Sequence, residues 1–192
     1  MIKATREDKF LVTELLKASF IDNQSVNYIV QQGGHKERRI IALMDYSFEM
    51  CFHFGEVWLS EDRKAAALVL YPQLKRTTVQ SIWLDIKLIF QAVGITGISR
   101  VLDRETRIKA KQPKEPMTYL WFIGVEPSAQ HQDIGSKLLA EIVTASDAGQ
   151  LPVCLETSTL KNLPWYERFS FHVYDQLEFD YTLFFLKREP DK

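Results

Sequence analysis

The sequence predicts an α/β protein with a mixed, mostly antiparallel central sheet flanked by helices. Two apolar runs around a charged turn indicate a strand hairpin at residues 56–71. A continuous apolar run at residues 118–125 is typical of a central strand covered on both faces, and an amphipathic helix follows it. Strands and helices in this order predict the class. A length of 192 residues predicts one domain over residues 1–192.

The first part of the chain is predicted to run helix, helix, hairpin. Apolar residues at helical spacing predict one helix over residues 8–18 and another over residues 35–50. The hairpin strands are residues 56–60 and 65–71, and the charged residues between them form the turn. We expect these strands to pair with each other in the antiparallel sense.

A long helical region separates the hairpin from the central strand. It has two parts, residues 79–93 and 98–111, with a break at the glycines of residues 94–97. The first part is apolar almost all round, so we predict that it lies in the core, with a substrate pocket or a dimer contact as alternatives. Six Lys and Arg residues between 100 and 114 predict a solvated helix face rather than an arm that binds nucleic acid.

The last third of the chain returns to alternating helices and strands. An amphipathic helix is predicted directly after the central strand, because its apolar residues fall on one face. The predicted elements are the helix at 133–148, a strand at 151–156, a short helix at 162–169 and strands near 171–174 and 179–186.

Composition excludes several classes of protein. The 24 Lys and Arg residues nearly balance 25 Asp and Glu residues, and a net charge of -1 draws the chain neither to nucleic acid nor to an acidic membrane. The four histidines show no metal-ligand spacing, so no metal site is predicted. Cys51 and Cys154 have apolar neighbours and are predicted to be buried free thiols.

The same observations favour the cytoplasm as the location of the protein. The first residues mix charges of both signs and lack the apolar region of a secretory signal. The most apolar stretch, residues 82–98, is too short and too interrupted to cross a bilayer. We expect a cytoplasmic monomer or homodimer without nucleic-acid or membrane partners.

A polar loop joins the predicted central strand to the amphipathic helix that follows. Backbone N–H groups without helical partners and the positive end of the dipole make a helix start a ready anion site. The loop has neither the Gly-Lys-Ser/Thr triplet of a Walker loop nor the three spaced glycines of the dinucleotide fingerprint. From the residues alone, a phosphate site and an ordinary turn both stay open.

The residues of this loop resemble a family motif. Val125-x-Pro127, then Gln130-x-x-Asp133-x-Gly135, then Ser-Lys-Leu-Leu are similar to the acetyl-CoA loop of the GNAT superfamily of N-acetyltransferases. That family has Gln/Arg-x-x-Gly-x-Gly/Ala at the start of a helix. Asp133 stands where the first loop glycine is expected.

A second motif downstream is also similar to that family. A predicted strand ends in Glu156-Thr-Ser, Asn162 follows in the loop, and Tyr166 precedes an apolar pair. The Pro-x-x-Pro-x-x-Tyr-Leu stretch at residues 113–120 resembles a branch that includes puromycin-type acetyltransferases. The resemblance implies a GNAT-like sheet with a splayed central strand, and acetyl-CoA as co-substrate.

The resemblance also implies roles for individual residues. Backbone amides of the loop would hold the CoA pyrophosphate, the backbone near Ile123 and Val125 would bond the pantetheine arm, and Asn162 would hold the cofactor from the other side. Tyr166 would protonate the departing thiolate as general acid. The loop amides belong to Gln130, His131, Gln132, Asp133, Ile134, Gly135 and Ser136.

The implied reaction is direct transfer of the acetyl group to an amine. A base must take a proton from the amine, and Glu126 and Glu156 are the two candidates. The Val125 amide is a candidate donor to the oxyanion. No Gly-x-Ser-x-Gly elbow occurs, which agrees with a reaction that needs no covalent enzyme intermediate.

Asp133 is the departure from the motif that matters most. Glycine at this position lets the backbone approach phosphates without a Cβ, whereas Asp is a good N-cap residue whose carboxylate can repel them. We expect the site still to bind acetyl-CoA with the Asp133 side chain turned outward.

The sequence therefore predicts an acetyl-CoA-dependent N-acetyltransferase that acts on a primary amine of a small molecule or a peptide. The alternative is a non-catalytic acyl-CoA-binding sensor or interaction module on the same fold. The identity of the acceptor carries no motif.

Overall fold

One sheet forms the centre of the computed structural model, which describes residues 1–191. Its seven strands in that part of the chain are β1 (Ile2–Lys3), β2 (Gly55–Leu59), β3 (Ala65–Leu70), β4 (Thr118–Val125), β5 (Val153–Thr157), β6 (His172–Glu178) and β7 (Thr182–Arg188). The order in space is β1-β2-β3-β4-β5-β7-β6, and only β4 and β5 run parallel among these neighbours. The predicted mixed, mostly antiparallel sheet is confirmed.

The two parallel strands pair only at their beginnings. Thr118 pairs with Val153 and Tyr119 with Cys154, and within residues 1–191 no later residue of β4 pairs with β5. The strands therefore separate toward their C-terminal ends and leave a V-shaped gap in the sheet. We call this gap the splay, and it is the feature expected of a GNAT-like sheet.

A β-bulge in β4 lies beside the splay. Leu68 of β3 pairs with Phe122 and the next residue, Val69, pairs with Leu120, so the bulge leaves Trp121 out of the register. A bulge interrupts the alternation of side chains along a strand. As a result Trp121 and Phe122 both pack against the same apolar cluster. The apolar run did not reveal this bulge.

Helices cover both faces of the sheet. Buried residues of two helices pack with Phe122 and Leu68 on the first face, whereas those of another pack with Leu120 and Leu155 on the second face. In chain order the helices are α1 (Lys9–Phe20), α2 (Gln24–Ile29), α3 (Lys36–Phe54), α4 (Val79–Leu88), α5 (Ile98–Lys111), α6 (Ile134–Ala148) and α7 (Leu163–Glu167). The first face carries α1 and α3, and the second carries α6 and α7.

The far end of the first face is covered by α5. Its Ile108 packs with Leu183 and Phe185 of β7 in a separate apolar cluster. The next residue, Leu186, belongs to the second-face cluster, and neighbouring strand residues point to opposite faces. The splay therefore lies between two apolar clusters on the first face.

The prediction that residues 79–93 lie in the core is wrong for one face of α4 and of the π-helical segment Ile89–Val93. Ser81 and Leu84 are the buried residues of α4. A stripe at helical spacing is exposed instead, formed by Val79, Ile82, Trp83, Ile86 and Phe90. The predicted break after this region is confirmed, because the helices on either side of it meet at 102°.

Within residues 1–191 no single helix has the length and apolar character to cross a membrane. Taken together, the two parts of the bent pair Val79–Val93 and Ile95–Lys111 are long and apolar enough to do so, by length and composition alone.

Smaller differences concern short elements and chain ends. No predicted element covered α2 or β1, and the last hairpin turns at residues 179–181, so β6 continues to Glu178. Cys51 and Cys154 are buried and free, as predicted. Burial raises the pKa of both thiols.

Candidate active site

The loop between β4 and α6 presents a row of backbone donors. From Gln130 to Ser136, no backbone amide donates to another group of the chain within residues 1–191. Two residues of the loop, His131 and Asp133, have left-handed backbone angles, with φ of 63° and 58°. Alternating backbone conformations of this kind turn successive N–H groups toward one concavity, where an anion binds.

Asp133 occupies the N-cap position of α6 without capping it. Its side chain accepts no cap hydrogen bond and is exposed, so it lacks the bond that an Asp at this position often makes. The reason is its φ of 58°, since an N-cap residue that caps through its side chain is typically extended. Asp adopts the left-handed region more readily than most residues other than glycine, which explains how it replaces a glycine here.

Close packing at the start of α6 depends on Gly135. A Cβ at this residue would lie 2.9 Å from Val125 Cγ2, at the end of β4. The indole Nε1 of Trp165 in α7 donates to Ser136 Oγ at 3.0 Å. The two regions singled out by their motifs are thus in direct contact, on the second face.

The backbone of β4 turns free donors toward the splay. The Glu126 amide donates to the Lys64 carbonyl beside β3, at 2.8 Å. Backbone groups alternate in direction along a strand, so those of Ile123 and Val125 point away from β3 and into the splay. The Val125 carbonyl there accepts from Ser19 Oγ of α1 at 2.8 Å.

Tyr166 and Asn162 lie across the splay from this loop. Tyr166 is buried in the second-face cluster, with its ring 4.7 Å from Trp165 and 5.7 Å from Phe171, between ring centroids. Burial raises its pKa well above the usual range for tyrosine, so the phenol is protonated at neutral pH. Asn162 precedes α7 and is half-buried.

Glu156 lies on β5, on the first face of the splay. Its Oε1 accepts from Gln112 Nε2 at 2.9 Å, and its Oε2 accepts from the Tyr119 hydroxyl of β4. Burial raises the pKa of this carboxyl, and the hydrogen bond from Tyr119 opposes that rise. The carboxylate is therefore held by two donors while burial opposes its ionisation.

The other base candidate, Glu126, has a different environment. It is exposed at the end of β4, and its carboxylate accepts no hydrogen bond in the described part of the chain. The structure thus places Glu156 within the splay and Glu126 outside it. Tyr119 and Gln112 are missing from the predicted site residues, and only the resemblance at residues 113–120 pointed to Tyr119.

A buried guanidinium lies beside Glu156. Arg104 of α5 is only 6% exposed, so the predicted solvated face is wrong for this residue. It donates to Tyr181 Oη at 3.0 Å, to Ser25 Oγ at 2.6 Å and to Glu105 Oε1 at 2.8 Å. These bonds join α5 to the turn between β6 and β7 and to α2. The positive charge of Arg104 favours the ionised form of Glu156 and so lowers its pKa.

Two other features of the surface lie outside the splay. A cavity of about 460 Å³ is lined by residues of α3 and of the π-helical segment. Another cavity, of about 450 Å³, is lined by residues near β1. Within residues 1–191 no group of three His, Cys, Asp or Glu side chains has an arrangement for holding a metal ion.

Comparison with known proteins identifies the fold. No family model matches the chain. A histone acetyltransferase and related acetyltransferase from Corynebacterium glutamicum superposes with a TM-score of 0.70 at 16% identity, over 100% of this chain and 96% of that one. Arylalkylamine N-acetyltransferase 2 from Aedes aegypti gives 0.68 at 12% identity, over 99% and 98%.

A GNAT-family protein from Desulfovibrio desulfuricans gives a TM-score of 0.55 at 15% identity, over 96% of this chain and 94% of that one. Each similarity covers nearly the whole length of both chains. At these low sequence identities it shows a shared fold and no more. The chain therefore has the fold of the GNAT acetyltransferases.

Proposed function

We propose that the protein is an N-acetyltransferase that moves the acetyl group of acetyl-CoA to a primary amine by direct transfer. The observation that carries the proposal is the row of free amides from Gln130 to Ser136, placed at the end of a splayed strand. The fold shared with acetyltransferases supports it. The Aedes aegypti protein is named for arylalkylamines, and an amine acceptor is proposed for this chain also.

The binding half of the proposal rests on the loop and on β4. The loop amides and the N-terminal end of α6 would hold the pyrophosphate, since both favour negative charge. The free backbone groups of Ile123 would bond the extended pantetheine arm as an added strand, and Asn162 would contact it from across the splay. Gly135 keeps α6 close enough to Val125 for these donors to share one concavity.

Acetyl transfer requires one proton to be removed and one to be supplied. The amine gives a proton to a base, its nitrogen bonds to the acetyl carbon, and the carbon–sulfur bond breaks. The Val125 amide would donate to the oxyanion in between. Tyr166 would protonate the leaving thiolate and regain its proton from solvent, while the base releases its own, so the products are the acetamide and free CoA.

Glu156 is the base that we favour over Glu126. A general base works best with a pKa close to the working pH, and burial raises the pKa of Glu156 in that direction. Its place within the splay also brings it near the proposed path of the thioester. Glu126 is exposed at the mouth of the splay, where its carboxylate is solvated.

The experiment that separates catalysis from sensing is the Tyr166→Phe substitution. We expect acetyl-CoA turnover, measured by thiol release across an amine panel, to fall by at least about 100-fold while calorimetric binding persists. Tyr174→Phe, which changes another partly buried phenol, is the control and should retain turnover. Wild-type protein that binds acetyl-CoA but turns over no amine would establish the sensor.

Asp133 gives a matched test of the anion site. Asp133→Asn removes the charge but keeps a side chain that tolerates a left-handed backbone, and Asp133→Gly also removes the Cβ. If repulsion between the carboxylate and phosphate weakens binding, both variants bind acetyl-CoA more tightly in calorimetry. Equal affinity in all three proteins would mean that the carboxylate points away from the phosphates, and no binding at millimolar acetyl-CoA would contradict the proposal.

Four further assignments belong to the same proposal. A place near the puromycin-type branch is proposed on the resemblance of residues 113–120. A cytoplasmic location is supported by two buried free thiols. The acceptor is a small-molecule or peptide amine, and the protein acts as a monomer or a homodimer.

A further inference from the structure

A continuous row of side chains crosses the first face of the splay. The Tyr46 hydroxyl of α3 donates to Asp85 Oδ1 of α4 at 2.7 Å. The ring of Tyr46 lies 6.1 Å from that of Trp121, and the ring of Trp121 lies 6.4 Å from that of Tyr119, between centroids. The row ends at Glu156, which accepts from the Tyr119 hydroxyl. Four separate elements contribute to it.

Glu105 of α5 belongs to the same neighbourhood. Its carboxylate accepts from Arg104 at 2.8 Å, and its side chain is 44% exposed. It lies two helical turns before Gln112, on the same side of α5, and Gln112 donates to Glu156 at 2.9 Å. Its negative charge also contributes to the raised pKa of Tyr46 and of Tyr119. We call the set Tyr46, Asp85, Glu105, Tyr119, Trp121 and Glu156 the acceptor wall.

The acceptor wall combines exposed aromatic surface with an excess of negative charge. Its three rings are each partly exposed, so they border a space that solvent reaches. Of its three carboxylates, Glu105 pairs with the Arg104 guanidinium, whereas within residues 1–191 Asp85 and Glu156 accept only from neutral donors and form no ion pair. This guanidinium is buried and already donates to Tyr181, Ser25 and Glu105. A bound molecule therefore meets aromatic faces and two carboxylates, Asp85 and Glu156, that no cation of the described residues pairs with.

We propose that the acceptor wall binds the amine substrate, and that it selects amines with an aromatic or alkyl body and no carboxylate next to the nitrogen. An ammonium group is attracted both by aromatic faces and by carboxylates. A carboxylate beside that nitrogen would be repelled by the carboxylates of the wall. This like-charge repulsion excludes α-amino acids from the site, although they carry the same amine nucleophile as the preferred substrates.

The proposal rests on the proposed acetyl transfer for its chemistry but not for its binding. The wall lies on the first face, whereas the loop amides, α6 and Tyr166 lie with the second-face cluster. The two substrates would thus approach the splay from opposite faces and meet between β4 and β5. Amine binding can be measured without any acetyl-CoA.

The test compares 2-phenylethylamine with phenylalanine, two molecules that differ only in the carboxylate. We expect the amine to bind at least about tenfold more tightly in calorimetry without CoA, the effect of one like-charge contact at an intermediate dielectric. The ratio of kcat/KM values with acetyl-CoA should favour the amine by a similar factor. Quenching of tryptophan fluorescence by the amine, lost in Trp121→Phe, would place it on the wall.

Charge variants give the matched comparison. Glu105→Gln and Asp85→Asn keep shape but remove one charge each, and we expect each to reduce the preference for the amine by several-fold. The control is Asp103→Asn, a change of exposed charge on the same helix as Glu105, which should leave the preference unchanged.

The outcomes separate the inference from the proposed function. Equal or tighter binding of phenylalanine, or no binding of either molecule, overturns the acceptor wall even if another amine is acetylated. Selective binding of 2-phenylethylamine that weakens in Glu105→Gln supports the wall. If acetyl-CoA then fails to bind, the acetyltransferase proposal falls while the amine site stands.

Discussion

Tyr119 reaches across the splay to hold Glu156, so its hydroxyl controls the acidity of the favoured base. The hydrogen bond from Tyr119 lowers the pKa of Glu156 against the rise caused by burial. In Tyr119→Phe that pKa rises further. Since the base must be ionised, we expect the acidic limb of the pH profile of kcat/KM to move to higher pH.

The control for this shift is Tyr174→Phe, which removes a nearby phenol without touching the carboxylate. Its pH profile should match that of the wild type. A Tyr119→Phe enzyme with reduced activity but an unmoved acidic limb would mean that the hydroxyl has a structural role, or that Glu156 is not the base.

Gly135 is a single residue on which the packing of α6 against β4 depends, and under the proposed function acetyl-CoA binding depends on it as well. Gly135→Ala would place a methyl group 2.9 Å from Val125 Cγ2, so α6 or β4 must shift. We expect a loss of about 1–3 kcal/mol in the free energy of unfolding, which is typical of overpacking, together with weaker acetyl-CoA binding. Urea denaturation and calorimetry measure the two effects.

Gly34→Ala is the matched control, because a Cβ at Gly34 meets no atom within 4 Å and its backbone is not in the left-handed region. It should leave both quantities unchanged. Unaltered stability in Gly135→Ala would show that α6 and β4 can separate without cost.

At the level of elements, α4 shows how a helix can be apolar on two sides and buried on one. Trp83 is 63% exposed and Leu84 is 7% exposed, although they are neighbours in the sequence. We expect Trp83→Ser to change the free energy of unfolding by less than about 0.5 kcal/mol. Leu84→Ala should cost about 2–5 kcal/mol. A large loss in Trp83→Ser, measured by urea denaturation, would place that face in a contact.

The elements that were predicted well are those whose pattern is local. The bounds of β4 follow from one unbroken apolar run and those of α6 from one apolar face. The bulge at Trp121 and the six residues of α2 were not predictable in this way, because neither alters hydrophobic periodicity. The outward face of α4 was missed since composition does not say which apolar face finds a partner.

The candidate site also has a local part that the sequence could predict and a long-range part that it could not. The loop from Gln130 to Ser136 is continuous in sequence, so a motif can describe it. Tyr119 and Glu156 are 37 residues apart, and Arg104 and Tyr181 are 77 apart. Such pairs arise from the order of strands and from the packing of α5, which no local pattern contains. For this reason Glu156 could be named from the sequence, whereas the bonds that hold it and the place of Arg104 emerged only from the structure.

For the whole molecule, ligand binding should act across the splay. An arm bonded to β4 and contacted by Asn162 would link both halves of the sheet. We expect acetyl-CoA at about 100 times its Kd to stabilise the protein by about 2.7 kcal/mol. Hydrogen exchange should slow at the amides of Ile123 and Val125. Stabilisation without slower exchange at these amides would place the ligand elsewhere.

Because β4 and β5 separate early, each has an unpaired edge inside the sheet, in addition to the outer edges of the sheet at β1 and β6. A bare strand border normally invites another chain to pair with it and start aggregation. Here helices stand over both faces beside the gap, so a neighbouring sheet cannot reach the recessed strands. Only a narrow, extended molecule fits between them. The opening thus combines access for a slender ligand with protection from self-association.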